Sequence, residues 1–239
     1  MFSKKSIIYL LLEASLIFIS IFITFSIETY RSNSREIDRK NILLNELSEV
    51  ITDDLNQLEK IIQFQLDCAQ YANTLIHDFI GSKNLGKRSI ADNYFKMNQN
   101  LPISFFPKKG IYNQILSSGS LGLIENDSLR FKMSHVYEDL DSRNNALSRS
   151  IDDFTVLWNI QLTKYITVVP EASTSSNAIY RKNKIQTFRI SDNYYESNEI
   201  LSFYAETKRF TTIYLSLIEQ YETDLKILDL LIENELANK

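Results

Sequence analysis

Residues 81–87 read Gly-Ser-Lys-Asn-Leu-Gly-Lys and fit G-x-x-x-x-G-K, the spacing with which a glycine-rich loop turns its backbone N–H groups onto a phosphate. The next residue is Arg88, so the hydroxyl that ligates magnesium is missing, and the preceding segment reads as helix where the motif needs a strand. An interhelix turn is expected instead. Gly119-Ser120-Leu121-Gly122 is one residue short of the G-x-S-x-G elbow that presents a nucleophilic serine, and it too lacks a preceding strand. It should join two helices.

His77 and His135, the only histidines, fall on different predicted helices with no cysteine beside either, whereas a structural zinc needs about four converging ligands. Three acidic runs, Glu138/Asp139/Asp141, Asp53-Asp54 and Asp152-Asp153, have the chemistry for proton exchange if they face one another across a cleft. On amphipathic helices such runs form the solvated face. Phe105, Phe106, Trp158, Tyr194 and Tyr195 are candidates to line a pocket between helices, or to fill the core. These residues give no catalytic, cofactor or metal site, and a non-enzymatic protein is expected.

Composition narrows the partners. The 239 residues carry 26 Lys and Arg against 30 Asp and Glu, a net charge of −4. A nucleic-acid binder needs concentrated positive charge to displace counterions from phosphates, and no basic run after position 40 is longer than Lys87-Arg88 or Lys108-Lys109. Nucleic acid is therefore excluded as a partner. Cys68 is the single cysteine and has no intramolecular partner for a disulfide.

The elements that must position these residues are set by where the helix breakers fall. Neither glycine nor proline occurs before residue 81, seven crowd between 81 and 122, and only Pro170 follows. Long uninterrupted helices are permitted on both sides. In the first, about 28–80, Leu44, Leu47, Ile51, Leu55, Leu58 and Ile62 step by an average of 3.6 and continue through Ala69, Ala72, Ile76 and Phe79. A second begins at Asn126 or Asp127, residues of N-cap type, and carries Leu129, Met133, Val136, Leu140, Leu147, Ile151, Phe154 and Trp158. Its polar patch at 141–145 is expected to be a bend or a solvated segment. A third, about 196–237, shows Leu201, Tyr204, Thr211, Leu215, Ile218, Leu225, Leu228 and Ile232. A short helix around 111–116 and a small hairpin turning near Lys182-Asn183, within 179–190, complete the expected elements.

The N-terminus carries the strongest compositional signal. Residues 7–27 include one charge, Glu13, and at about 1.5 Å per residue a helix of that length spans roughly 30 Å of hydrocarbon. An uncleaved transmembrane helix is expected, continuous with the first amphipathic helix. An ionised carboxylate in lipid costs about 2.5–3.5 kcal/mol, so Glu13 should be neutral, snorkelled or facing protein. Ser20 and Thr24 follow at i+7 and i+11 on the same face, and the stripe Glu13, Ser20, Thr24 is a candidate for packing against another transmembrane helix. Its bland counterpart is a set of hydroxyls that bond back to their own helix. The positive-inside count, Lys4 and Lys5 against Arg31, Arg35, Arg39 and Lys40, does not decide orientation.

Glu13, with Ser20 seven residues on and Tyr30 at the exit, resembles the anchor of an uncharacterised bacterial family of single-pass membrane proteins, a domain of unknown function. Leu44-Asn45-Glu46-Leu47 with Asp54-Leu55 resembles its charged helix after the anchor. Tyr112, the run Ser117-Ser118-Gly119-Ser120-Leu121-Gly122-Leu123-Ile124-Glu125-Asn126 and Leu129-Arg130 resemble its internal motif of short helix, Ser-Gly turn and second helix. The resemblance covers about the first 140 residues. It implies a cytoplasmic amino terminus and a helical periplasmic domain, and it implies no activity.

The expectation is an all-α protein of the bacterial inner membrane: a short cytoplasmic tail at 1–6, a transmembrane helix at 7–28, and an extracytoplasmic antiparallel bundle of three or four long helices at 29–239. It would use no cofactor. Its partners would be the lipid bilayer and another membrane or envelope protein, or a second copy of itself; its role would be that of an interaction or scaffold protein, with a ligand sensor as the alternative.

Overall fold

The computed structural model describes residues 4–170 and 183–237, with the side chains of 4–12, 14 and 170 outside the description. Its first element, α1 (Lys4–His77), is one helix of 74 residues, about 110 Å long. A π-helical turn at Asp78–Ser82 ends it, and α2 (Lys87–Asn100) folds back along it. After a loop come α3 (Gly110–Ser117), a 3-10 turn at Ser120–Leu123, and α4 (Asp127–Ser134). A π-helical stretch at His135–Leu140 joins α4 to α5 (Asp141–Tyr165), so that 127–165 forms one long helical run. The chain closes with α6 (Asn198–Ala237), 40 residues long.

The core is organised by α1 and α6, which run antiparallel: Lys40 meets Glu235, Ser48 meets Asp229 and Cys68 meets Thr211. The positions of α1 that face α6 along the seam are 44, 47, 51, 54, 58, 61, 65, 68, 72 and 75, continuing to Phe79 beyond it, and those of α6 are 200, 204, 207, 211, 214, 218, 221, 225, 228, 232 and 235; Lys40 at the foot of the seam, and Leu43, Phe203 and Asp224 beside it, are buried as well. Both series step alternately by three and four. That is a repeat of 3.5 residues, the spacing that keeps one narrow stripe of each helix facing the other along its whole length.

This corrects the expected 3.6-residue stripe at four places, one of them Leu75 in the seam where Ile76 was expected. The seam takes Asp54, Ile61 and Cys68 where the apolar pattern pointed to Leu55, Ile62 and Ala69, and those three lie half-buried beside it. The cause is that polar Asp54 and Gln65 occupy seam positions and a purely hydrophobic reading skips them. Each is compensated locally at one of its polar atoms. The Asp54 carboxylate accepts from Lys108 N at 3.1 Å, and Gln65 Nε2 donates to Ile103 O at 2.9 Å, binding the 101–109 loop to α1.

The second helix starts where its cap type indicated: Asn126 Oδ1 accepts from Leu129 N at 3.2 Å. The 141–145 patch is helical and solvated in part, with Ser142, Arg143 and Asn145 exposed. Asp141 and Asn144 are buried, one held by Lys109 at 2.6 Å and the other donating to Phe105 O at 2.8 Å, because the 101–109 loop crosses over them.

The all-α expectation holds for the bundle but omits a two-stranded antiparallel ribbon, β1 (Ile166–Pro170) with β2 (Asn183–Phe188), in the register Ile166↔Phe188 and Val169↔Lys184. The expected hairpin within 179–190 supplies only its second strand. The first is the β-branched run Ile166-Thr167-Val168-Val169 that ends α5, a composition that favours the extended backbone. The run 171–182, including Lys182, lies outside the described residues.

Among the described residues, no helix is long and apolar enough to cross a membrane. The expected span begins on residues 7–12, whose side chains lie outside the description. From Ser15 to Arg39 every residue of α1 is exposed, and Lys40 is the first buried one.

The 3.5-residue seam makes a direct prediction. Leu58→Ala, on the seam, should lower the unfolding free energy by about 3 kcal/mol, whereas Ile62→Ala, beside it, should cost distinctly less. Urea denaturation followed by circular dichroism checks both, and equal costs would favour the 3.6-residue face.

Candidate functional site at the base of the bundle

Where α1 emerges from the bundle, three chain segments are tied by one ion pair. Lys40 Nζ lies 2.8 Å from Glu235 Oε1, with both side chains nearly out of solvent. The same carboxylate accepts from Glu125 N and Asn126 N, each at 3.3 Å, at the start of α4. Burial alone pushes the Glu235 carboxyl up, yet the hydrogen bonds from Lys40 and the two amides outweigh it and hold the group below the ordinary glutamate value. Arg130 fastens the same turn by donating to Ile124 O and pairing with Asp127.

Three turns further along α6, Asp224 sits between Lys132 Nζ at 2.8 Å and His135 Nε2 at 3.2 Å, and His135 Nδ1 lies 3.4 Å from Asp139. Ser48 donates to Asp229 at 2.5 Å. Nothing in this set pairs a nucleophile with a base in an open cleft. Its charges are spent on fixing α1, α4 and α6 to one another.

A second polar cluster crosses the middle of the seam. Phe105 N donates to Tyr214 Oη at 2.7 Å, Tyr214 donates to Asn144 Oδ1 at 3.1 Å, and Asn144 Nδ2 returns to Phe105 O at 2.8 Å. This closed ring pins the loop to α5 and α6, and the buried Phe105 side chain packs edge-on against Tyr221 with centroids 4.9 Å apart. Asp54 lies fully buried in the seam, its Oδ1 without a hydrogen-bond partner among the described residues, as is the hydroxyl of buried Tyr137. Burial pushes the Asp54 carboxyl up to about 6, against the lowering effect of the Lys108 amide and ammonium.

The remaining residues singled out by type and spacing take structural places. In the 81–87 turn the N–H groups of Asn84 and Leu85 do point at an anion, but the anion is Asp78 Oδ1, at 2.8 and 2.9 Å, with Tyr195 donating to Oδ2. The loop's amides are thus taken by the protein's own carboxylate. Gly119 turns the chain with φ +77°, a left-handed conformation that glycine adopts without strain, and joins α3 to the 3-10 turn. His77 is exposed at the end of α1 and His135 lies in the Asp224 cluster, far apart in the chain; among the described residues no group of three or more His, Cys, Asp or Glu could hold a metal ion.

Of the acidic runs, Asp53, Glu138, Asp139, Asp152 and Asp153 are exposed as solvated-face residues are, while Asp54 and Asp141 are buried. Of the aromatics, Phe105 and Tyr194 are core, Trp158 and Tyr195 pack at its edge, and Phe106 is exposed. Of the seam's tyrosines sequence reasoning placed Tyr204 but missed Tyr214 and Tyr221, and it missed the burial of Asp54 and Glu235, although the 3.5-residue spacing was present to be found.

Glu13, Ser20 and Thr24 are exposed on α1 upstream of the bundle. Ser20 donates to Ile17 O at 2.9 Å and Thr24 to Ser20 O at 2.8 Å, so both hydroxyls are satisfied within their own helix.

A family model described as a family of unknown function, DUF6090, matches residues 13–148. The chain belongs to that family. The match runs from Glu13 through the Lys40 junction, the Ser-Gly turn and the capped start of α4 into α5, and it stops before α6, the helix that completes the seam. No curated protein and no solved structure matches the chain.

The buried Asp54 gives this DUF6090 protein a testable pH response. A carboxyl whose folded value is raised stabilises the fold below its unfolded value, near 3.8, and that contribution is lost as pH rises through about 6. Asp54→Asn should therefore melt higher than wild type at pH 8, by an amount on the order of 1–3 kcal/mol. It should also flatten the stability profile between pH 4 and 7.5, as read by thermal denaturation across that range; an unchanged slope would show that Asp54 is not the group responsible.

Proposed function

We propose that this chain is a non-enzymatic interaction or scaffold protein of the cell envelope, held by the first part of α1 in a lipid bilayer and presenting the helical bundle on a rigid helical stalk. The observation that carries this reading is the state of residues 16–27. Leu16, Ile17, Phe18, Ile19, Ile21, Phe22, Ile23, Phe25 and Ile27 are each at least 50% exposed and point to every side of the helix. Each such side chain forgoes roughly 1.5–3 kcal/mol when left in water, and a helix apolar all round is one made for an apolar solvent. Residues 7–12 extend the apolar stretch in sequence.

The side-chain hydroxyls in that segment support the same environment. Ser20, Thr24, Ser26 and Thr29 all bond back to carbonyls of their own helix, which leaves no hydroxyl needing water. Residues 28–39 then form a charged, exposed stretch of about 18 Å between the apolar segment and the first buried residue, Lys40. With its amino terminus in the cytoplasm, the chain would place the bundle in the periplasm, and the Lys40–Glu235 clamp would fix the bundle's attitude on its stalk.

The second reading is a ligand sensor, and a single observation favours it: an open groove of about 690 Å³ along the end of α1, lined by Asn73, Thr74, His77, Asp78 and Leu85 among others. Its opening to solvent and its position at the end of the bundle remote from Lys40 make it the weaker account.

Alkaline carbonate extraction of membranes containing the full chain tests the anchor. The intact polypeptide is expected in the pellet, and its release into the supernatant would remove the proposal.

A further inference from the structure

Upstream of Lys40 the seam of α1 does not stop. Continued backward by alternate steps of three and four, it passes through Ile37, Asn33, Tyr30, Ser26, Ile23 and Ile19. Inside the bundle this line is covered by α6, but Glu235 already pairs with Lys40 and α6 ends at Ala237, within a turn of that pair. Ile37 is left 48% exposed and Tyr30 78% exposed on a stretch otherwise made of polar residues.

The charges of the stalk respect the same line. In residues 28–39 the charged side chains are Glu28, Arg31, Arg35, Glu36, Asp38 and Arg39. None falls on the seam. Glu28, Arg31, Arg35, Asp38 and Arg39 occupy the three outer positions of the seven-residue repeat, and Glu36 flanks the seam, which is the distribution of a helix whose narrow apolar stripe meets a partner helix. A solitary helix exposed on all sides has no reason to sort its charges in this way, and a stretch of this length is marginal without tertiary support.

We propose that residues 19–37 of α1 pair in parallel with the same residues of a second copy of this chain, extending the α1–α6 seam into a two-stranded coiled coil below the bundle. The occupant is a second copy because a seam in register with itself is self-complementary when two identical helices emerge side by side. The parallel direction rests on the shared anchoring proposed above; the line of residues does not. Three heptads bind weakly by themselves, and confinement of both copies to one membrane would raise their effective concentration enough to populate the pair. Glu13 and Ser20 fall immediately beside the extended seam, whereas Thr24 turns away from it.

Variants of the full chain in its membrane, each with one cysteine added and buried Cys68 left in place, test this. Under mild oxidation Asn33→Cys and Ile37→Cys should form disulfide-linked homodimers at least ten times faster than Arg31→Cys and Arg35→Cys, which point outward. Equal rates, faster reaction at 31 and 35, or capture only of a different polypeptide at 33 and 37 would overturn the pairing. Carbonate extraction of the same samples separates the two ideas. Release of the chain with the 33/37 preference intact defeats the anchor alone, and retention without the preference defeats the pairing alone.

Discussion

The 3.5-residue seam between α1 and α6 is the constraint on which the rest of the structure depends. Two antiparallel helices joined along ten or eleven positions each bury Leu44, Leu47, Ile51 and Leu58 against Ile218, Leu225, Leu228 and Ile232, and this is the long-range contact that turns a single extended helix into a folded body. The other elements are attached to it: α2 through the Cys68 thiol and Met97 O, the 101–109 loop through Gln65 and Asp54, and α4 through Glu235 and Asp224. Burial pushes the Cys68 thiol up to about 12, so at neutral pH it packs as an inert apolar group.

The polar residues placed in this seam give it direction. A uniform apolar stripe could slip by a heptad with little penalty, but Lys40 has its counter-charge at Glu235, and Asp54 and Gln65 find their partners at the end of α2 and in the 101–109 loop. Removing one partner of such a buried group leaves the other without compensation, which penalises every alternative register. The same arrangement makes the junction at Lys40 stiff. A rotation or tilt of α1 below the bundle must be carried through the ion pair to α6 and to the cap of α4 together.

Much of this was legible in the sequence. The scarcity of glycine and proline outside 81–122 forecast the long helices, Asn126 forecast the start of α4, and the Ser-Gly turn at 119 forecast the joint before it. The register of the seam was not, because reading apolar residues alone favours Leu55, Ile62 and Ala69 over Asp54, Ile61 and Cys68, and the polar seam residues are explained only by a loop distant in sequence. The ribbon was half legible, since a β-branched run directly after a helix looks like its continuation until its strand partner is known. At the candidate site the acidic clusters split, with Asp53 exposed and Asp54 buried one residue apart, a distinction that depends on helix phase rather than composition.

Membership of DUF6090 covers the stalk, the junction and the Ser-Gly turn, which are the parts that set the bundle on α1, while the helix that seals the seam lies beyond the matched region. Joined along this seam, α1 and α6 form one cooperative unit. Amide hydrogen exchange in the full chain tests it most directly. Residues 44–75 and 204–232 should share the slowest exchange and lose protection together as denaturant is raised; if α6 exchanged well before α1 while the rest of the bundle stayed protected, the seam would not be what holds this protein together.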